Sequence, residues 1–199
     1  VLEDLGIVGP NVLMVHCCYL TDRDIAMAKK YDMKVSHNVC SNQYLSSGVA
    51  DVPKMLRSGL TVSLGVDGAA SNNAQDMVEL MKFTALQHKV ATRDPLAMTA
   101  EKVLEMATIG GARALKLDDK IGSLEIGKLA DIIAVDLSGS HQTPTTDPVS
   151  AVVNTCSGAD ILMTMVNGTA LYEKNKWNVG VEVARNIARI IEIRGKLRL

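Results

Sequence analysis

The stretch Leu64-Gly65-Val66-Asp67-Gly68-Ala69-Ala70-Ser71-Asn72 decides the fold predicted for this chain. An apolar, strand-like run ends at Asp67, and small and polar residues then lead into a helix-like segment. In a barrel of alternating strands and helices, catalytic side chains lie where a strand passes into the following loop. His16 ends another apolar run upstream, Val12 to Val15. If the strands are parallel, His16 and Asp67 emerge at the same edge of the sheet.

Strand-like and helix-like segments alternate on both sides of this stretch. The predicted strands are 12–15, 34–37 and 60–66, and the predicted helices are 21–31, 52–58, 74–90 and 99–115. This order predicts parallel strands joined by right-handed crossovers. A closed parallel barrel takes eight such units. The segment is therefore either an open doubly wound sheet or the last part of a barrel.

The pattern changes after Leu117 to that of a β-rich module. A turn-rich stretch precedes a strand at 130–135, and a polar loop follows at 138–148. Asn167-Gly168 predicts a type I′ hairpin between strands at 161–166 and 169–173. Apolar residues at helical spacing predict an amphipathic helix at 181–194.

The composition is that of a folded globular protein. Apolar residues make up 47% of the 199 residues, the net charge is −1 and aromatic residues make up 3%. Without a basic run or a stacking surface, we expect no nucleic-acid partner. We see no run of about 18 apolar residues and no signal peptide, so we expect no membrane span. The four cysteines match no zinc or disulfide spacing, which is typical of reduced thiols in a cytoplasmic protein.

Five side chains are candidates for chemistry or binding. An imidazole at His16 and a carboxylate at Asp67 can bind or orient a water on a divalent metal. The alternatives are a buried, hydrogen-bonded histidine and an aspartate that forms the turn before a glycine. His37, Asn42 and Ser71 can contact a substrate, but the pattern favours roles in loops and helix caps. Ser71 and Asn72 in particular are interpreted as N-caps of the next helix.

At these residues the chain resembles the amidohydrolase superfamily, in the branch of methylthioadenosine/S-adenosylhomocysteine deaminases, guanine deaminases and triazine hydrolases. Four stretches carry the resemblance: His16-Cys17 with Leu20-Thr21; Ser36-His37-Asn38 with Ser41-Asn42 and Leu45 to Gly48; Leu64 to Gly68 with Ser71-Asn72; and Gly122 to Asp131. The resemblance implies an α/β fold: the C-terminal part of a (β/α)8 TIM-type barrel, about strands 6–8, plus part of a small β-sandwich domain. The implied division is 1–117 for the barrel units, 118–177 for the β-sandwich segment and 178–199 for a C-terminal helix.

The resemblance also implies a reaction. It is a metal-dependent hydrolysis of C–N bonds other than peptide bonds, by an aminohydrolase of a purine-like or other heterocyclic substrate. One divalent metal, Zn²⁺ or alternatively Fe²⁺, activates the attacking water. By resemblance, Asp67 binds the metal and accepts a proton from that water, and His16 orients the water and the substrate. His37, Asn42 and Ser71 remain the candidates for contacting the substrate.

The chain departs from the family pattern in the metal ligands. The His-x-His pair of strand one and the His-x-x-Glu stretch of strand five are absent, and Val39 and Val66 replace a common proline and threonine. We therefore expect an incomplete metal site, with the other ligands upstream of Val1. The isolated chain is expected to bind zinc weakly, to lack deaminase activity, and to associate with another copy or with an N-terminal segment.

Three other interpretations stay open. The first is a non-catalytic fragment or subunit that only assembles with a partner. The second is a dechlorinating or imidazolone-type hydrolase on the same scaffold. The third, a flavodoxin-like nucleotide binder, ranks last, because no glycine-rich phosphate loop follows the first strand.

Overall fold

The computed structural model describes residues 2–180 and 182–197. Three strands form a parallel sheet in the order β1-β2-β3: β1 (Leu13–Val15), β2 (Lys34–His37) and β3 (Val62–Leu64). The helices that accompany them are α1 (Asp22–Lys30), α2 (Val39–Tyr44), α3 (Val52–Arg57), α4 (Ala69–Asn72), α5 (Met77–Thr92), α6 (Ala100–Ala107), α7 (Ile109–Ala114) and α8 (Pro148–Asn154). The predicted alternation of parallel strands and helices is confirmed.

Helix α1 begins at the cap that the sequence predicts. The Thr21 hydroxyl accepts a hydrogen bond from the Asp24 backbone N–H, and the Asp24 carboxylate accepts one from the Thr21 N–H. This reciprocal pair is a capping box, which satisfies backbone donors that have no partner inside the helix. The crossover from β1 to β2 therefore starts at a defined residue.

The core of this part of the chain lies around the central strand β2. Val35 of β2 is completely buried, together with side chains from four of the helices and the α5–α6 connection: Val39, Val52, Met55, Leu80, Met98, Val103 and Met106. Burying one such side chain stabilises the fold by about 1.5–3 kcal/mol. The sheet thus holds its strand ends against a packed layer of helices.

The single helix predicted at 99–115 is wrong, because the chain forms α6 and α7 with a break at Thr108. Thr108 has φ −117° and ψ −99°, and its hydroxyl donates to the Leu104 carbonyl over 2.7 Å. Gly110 lies close to the backbone of both α6 and β3. A Cβ at this position would lie 2.9 Å from the Glu105 carbonyl oxygen and 3.2 Å from the Val62 carbonyl oxygen. The break therefore lets α7 pack directly on β3.

Three helices, α2, α4 and α8, form where the sequence predicts loops or connections. In α2, Ser41 and Asn42 are buried polar residues, which a search for apolar spacing does not detect. The interpretation of Ser71 and Asn72 as N-caps is wrong, because both lie inside α4. Asp76 caps α5 instead, and its carboxylate accepts hydrogen bonds from the next turn.

The chain divides into two compact units, Val1–Lys128 with Asp136–Asp160, and Leu129–Val135 with Ile161–Leu199. This division differs from the sequence-based one, which kept 118–177 together. The physical reason is α8, whose side chains pack on α5 and α6 and so return 136–160 to the first unit.

The second unit contains an antiparallel sheet in the order β4-β5-β6-β7. Its strands are β4 (Ile132–Val135), β5 (Ile161–Val166), β6 (Thr169–Glu173) and β7 (Lys176–Trp177), and helix α9 spans Val183–Leu197. Asn167 and Gly168 have φ +48° and +77°, as a type I′ turn requires, so the predicted hairpin is confirmed. Val181, where the last helix was predicted to begin, lies outside the described residues.

Among the helices that the structure describes, none combines the length and the apolar character needed to cross a membrane.

Candidate active site

His16 and Asp67 follow β1 and β3 in a backbone conformation that is uncommon for residues other than glycine. Their φ angles are +68° and +63°, and Cys17 next to His16 has φ +55°. Such left-handed positions cost about 1–3 kcal/mol each and cluster at functional sites. The backbone is held there by hydrogen bonds from the His16 N–H to the Ser36 carbonyl and from the Gln75 side-chain amide to the Asp67 carbonyl, both 3.0 Å long.

The His16 and Asp67 side chains meet at the carboxyl edge of the parallel sheet. His16 Nε2 lies 3.7 Å from Asp67 Oδ2, and the two side chains are 41% and 28% exposed. This separation is too long for a good hydrogen bond. Two ligands of one tetrahedral zinc ion lie about 3.4 Å apart, as follows from bonds of about 2.1 Å. The pair therefore has the spacing to share one water or one small cation.

The Asp67 carboxylate accepts two strong hydrogen bonds. Ser41 Oγ donates to Oδ2 over 2.6 Å, and the Gly68 N–H donates to Oδ1 over 2.7 Å. The Ser41 bond is the main cause that lowers the pKa of Asp67 below its usual value, followed by the Gly68 bond. The carboxylate therefore stays ionised to a lower pH than an ordinary aspartate.

Asn42 fixes the orientation of the His16 ring. His16 Nδ1 lies 2.8 Å from Asn42 Oδ1, and Asn42 is 1% exposed. An amide oxygen only accepts hydrogen bonds, so the contact is a hydrogen bond when the His16 ring carries its proton on Nδ1. The lone pair of Nε2 then faces the Asp67 carboxylate.

His37 lies inside the fold and pairs with another histidine. Its Nε2 is 3.2 Å from Nε2 of His88 in α5, and both rings are almost fully buried. Burial lowers the pKa of His37 to about 3 and that of His88 to about 4. Both rings are therefore neutral at physiological pH. In the described part of the chain, His37 Nδ1 has no hydrogen-bond partner.

The structure thus brings His16, Asp67 and Asn42 together, and Ser71 lies beside them with its hydroxyl on the Gly68 carbonyl, 3.1 Å away. From the sequence, Ser41 belongs to one of the stretches that carry the family resemblance but has no predicted role, and His88 has none either. A usable signal existed for His88, because it follows the buried Met81, Thr84 and Ala85 at helical spacing and so belongs to the inner face of α5.

The described residues do not complete a metal site. Among them, no group of three or more histidine, cysteine, aspartate or glutamate side chains is placed to hold an ion. A catalytic zinc site takes about three protein ligands. Asp67 and His16 supply at most two, so these residues do not hold a metal by themselves.

Comparison with known proteins shows what this chain is similar to. A 5'-deoxyadenosine deaminase of Methanosarcina barkeri is 48% identical over 175 residues, which cover 88% of this chain and 40% of that protein. A 5-methylthioadenosine/S-adenosylhomocysteine deaminase of Syntrophobacter fumaroxidans is 42% identical over 196 residues, 96% of this chain and 45% of that protein. This chain therefore spans less than half the length of these relatives.

A solved structure of similar fold is an adenosine deaminase from Xanthomonas campestris with bound zinc. Its TM-score is 0.95 at 30% sequence identity, and the match covers 99% of this chain and 45% of that one. The model of the amidohydrolase family matches residues 1–171, most of the chain. The chain therefore belongs to the amidohydrolase family.

Proposed function

We propose that this chain is part of a metal-dependent hydrolase of C–N bonds other than peptide bonds, an aminohydrolase of a purine-like or other heterocyclic substrate. The observation that carries the proposal is the meeting of His16 and Asp67 at the carboxyl edge of the parallel sheet, 3.7 Å apart. The deaminase names of the relatives support the substrate class. In barrel terms, β1 to β3 correspond to about strands 6–8 of a TIM-type barrel, and the antiparallel sheet belongs to a small β-sandwich domain.

In this proposal Asp67 takes a proton from the attacking water. The water oxygen bonds to the ring carbon that carries the amine. The amine takes up the proton that Asp67 had accepted and leaves as ammonia as the C–N bond breaks, and the product keeps the oxygen and the second hydrogen of the water. The lowered pKa of Asp67 keeps the carboxylate ionised, as binding a cation or accepting a proton requires, and makes it a weaker base than an ordinary aspartate. His16 Nε2 accepts a hydrogen bond that orients the water or the substrate.

Asp67 also serves as one ligand of a divalent metal, Zn²⁺ or alternatively Fe²⁺. Because the described residues supply too few donors, the other ligands in this proposal come from an N-terminal segment or from a partner copy. The 199-residue chain is then expected to bind zinc weakly, and the complete protein stoichiometrically. Metal analysis of both after dialysis measures this difference.

The activity test uses the complete protein and a panel of heterocycles. We expect ammonia release from 5'-deoxyadenosine, S-adenosylhomocysteine or a related adenosine, and Asp67→Asn should lower kcat/KM by about 10²–10⁴-fold, the usual contribution of a general base. Asp119→Asn, which makes the same change at an exposed aspartate, should leave the rate unchanged.

Other members of the panel test the alternatives. Chloride release from a chlorotriazine, or opening of an imidazolone ring, would indicate the other hydrolase classes. No turnover of any member by the metal-loaded complete protein would overturn the proposal in favour of a non-catalytic subunit.

A further inference from the structure

We propose that Asn42 is a positioning residue, whose amide oxygen holds His16 as the Nδ1–H tautomer and so leaves Nε2 as the atom that faces Asp67. The inference rests on the proposed function, since it concerns how that site is assembled. It changes the role of Asn42 from a candidate substrate contact to a support for the group that makes the contact.

The first support is the contact itself. Asn42 Oδ1 lies 2.8 Å from His16 Nδ1, and with 1% of Asn42 exposed, little water reaches it to compete for the ring N–H. The opposite tautomer would place an N–H on Nε2, facing the Asp67 carboxylate 3.7 Å away. A small rotation would then close a direct hydrogen bond between the two groups. Asn42 keeps the space between them open.

The second support is that, in the part of the chain that the structure describes, a buried donor of Asn42 is left without a hydrogen bond, which destabilises the fold. Within the described residues, the buried Asn42 Nδ2 has no hydrogen-bond partner. A buried, unsatisfied donor costs about 1–3 kcal/mol. An apolar residue of similar shape would avoid that cost, so stability alone does not explain an asparagine here. The contact between the Asn42 amide oxygen and the His16 ring explains why an asparagine lies at this position.

The third support is the rigidity of the element that carries Asn42. In α2 the Asn42 N–H donates to the Asn38 carbonyl over 3.0 Å, and the Asn42 carbonyl accepts from the Ser47 N–H over 2.8 Å. Ser41, the preceding residue, holds Asp67 by its 2.6 Å hydrogen bond. Helix α2 therefore carries both Asn42, the partner of His16, and Ser41, the partner of Asp67. Because Ser41 and Asn42 are neighbours in one helix, they hold the His16 and Asp67 side chains at a defined separation.

The test reads the ring directly, by ¹⁵N NMR of His16 at a pH where the imidazole is neutral. We expect the Nδ1–H tautomer in the wild-type chain, a shift towards Nε2–H in Asn42→Leu, and retention of Nδ1–H in Asn42→Asp, which keeps an acceptor oxygen. Asn154→Leu, the same change at a half-buried asparagine that pairs with Ser150 in α8, should leave the tautomer as it is. An Nε2–H tautomer in the wild type, or no change in a folded Asn42→Leu variant, overturns the proposal. If Asn42→Leu does not fold, the tautomers of the wild type and of Asn42→Asp still test the proposal, because both are expected to be Nδ1–H.

A kinetic measurement on the complete protein separates positioning from substrate binding. Hydrogen-bond partners that orient the ligands of a metal site typically contribute 10–100-fold to activity, and we expect the same range for the partner of His16. We expect Asn42→Leu to lower kcat by about that factor with little change in KM, and Asn42→Asp to recover part of the loss. A rise in KM at unchanged kcat would instead make Asn42 a substrate contact. Because the tautomer is measured without metal or substrate, an inactive complete protein would overturn the proposed function and leave the tautomer result standing.

Discussion

At the scale of single residues, Asp67 shows how one hydrogen bond sets the state of a carboxylate. The Ser41 hydroxyl is the largest cause of its lowered pKa, ahead of the Gly68 N–H and of Ser71. We predict that Ser41→Ala raises the pKa of Asp67 towards its usual value, so that the carboxylate takes up its proton at a higher pH. A ¹³C NMR titration of the Asp67 carboxyl group measures this. Ser71→Ala is the matched control and should raise the pKa less; an equal or larger effect would contradict the ranking.

The same residues show what the sequence can predict at this scale. Chain direction alone predicts that side chains following parallel strands meet at one edge, and His16 and Asp67 do so. Ser41 and Asn42 are different, because their function depends on a polar helix face that turns inward. The spacing of apolar residues identifies the apolar face of a helix. It does not detect a buried face made of hydroxyl and amide groups.

At the scale of elements, α7 offers a matched pair of neighbouring glycines. A Cβ at Gly110 would lie 2.9 Å from the Glu105 carbonyl oxygen, whereas one at Gly111 meets only the Met106 carbonyl, at 3.8 Å. Glycine to alanine normally stabilises a helix by about 0.5–1 kcal/mol. We predict that gain for Gly111→Ala and, because backbone must move, a loss of about 1–3 kcal/mol for Gly110→Ala. Urea unfolding of the two variants measures both, and equal stabilities would show that α7 does not pack on β3 as described.

The break between α6 and α7 also marks the limit of element prediction. The spacing of apolar residues continues from 99 to 115 and therefore predicts one helix. The break depends on the Thr108 hydroxyl bond to Leu104 and on the space that Gly110 leaves at β3. The Thr108 bond is local, but the close approach of Gly110 to β3 is a tertiary effect, and tertiary effects override local propensity. The Asn167-Gly168 hairpin was predictable because its turn chemistry is entirely local.

At the scale of the whole molecule, the division into units follows from packing that no local pattern shows. The segment 136–160 lies between two strands of the antiparallel sheet in sequence, yet α8 packs with α5 and α6 of the first unit. Ala151 and Val153 of α8 are buried there. The apolar run from Ala151 to Val153 is too short to distinguish this helix from the polar loop in front of it.

The buried pair His37–His88 predicts how the stability of the first unit depends on pH. Burial lowers the pKa of both rings, so below the unfolded value of about 6.5 the unfolded chain binds more protons than the folded one. The contribution of the pair is complete above that pH, and it is lost as the pH falls towards 4 and 3. Two neutral rings give a slope of at most about 2.7 kcal/mol per pH unit in that window.

Urea unfolding followed by circular dichroism between pH 7 and pH 4.5 tests this dependence. His88→Gln removes one of the two titrating rings and should roughly halve the contribution of the pair to the slope, whatever its effect on stability at pH 7. Thr84→Val changes another buried polar residue of α5, whose hydroxyl bonds the Leu80 carbonyl, and carries no titrating group. It should change stability without changing the slope. If wild type and His88→Gln lost stability in parallel on acidification, the two rings would not be held neutral together, and the acid sensitivity of the chain would have to come from other groups.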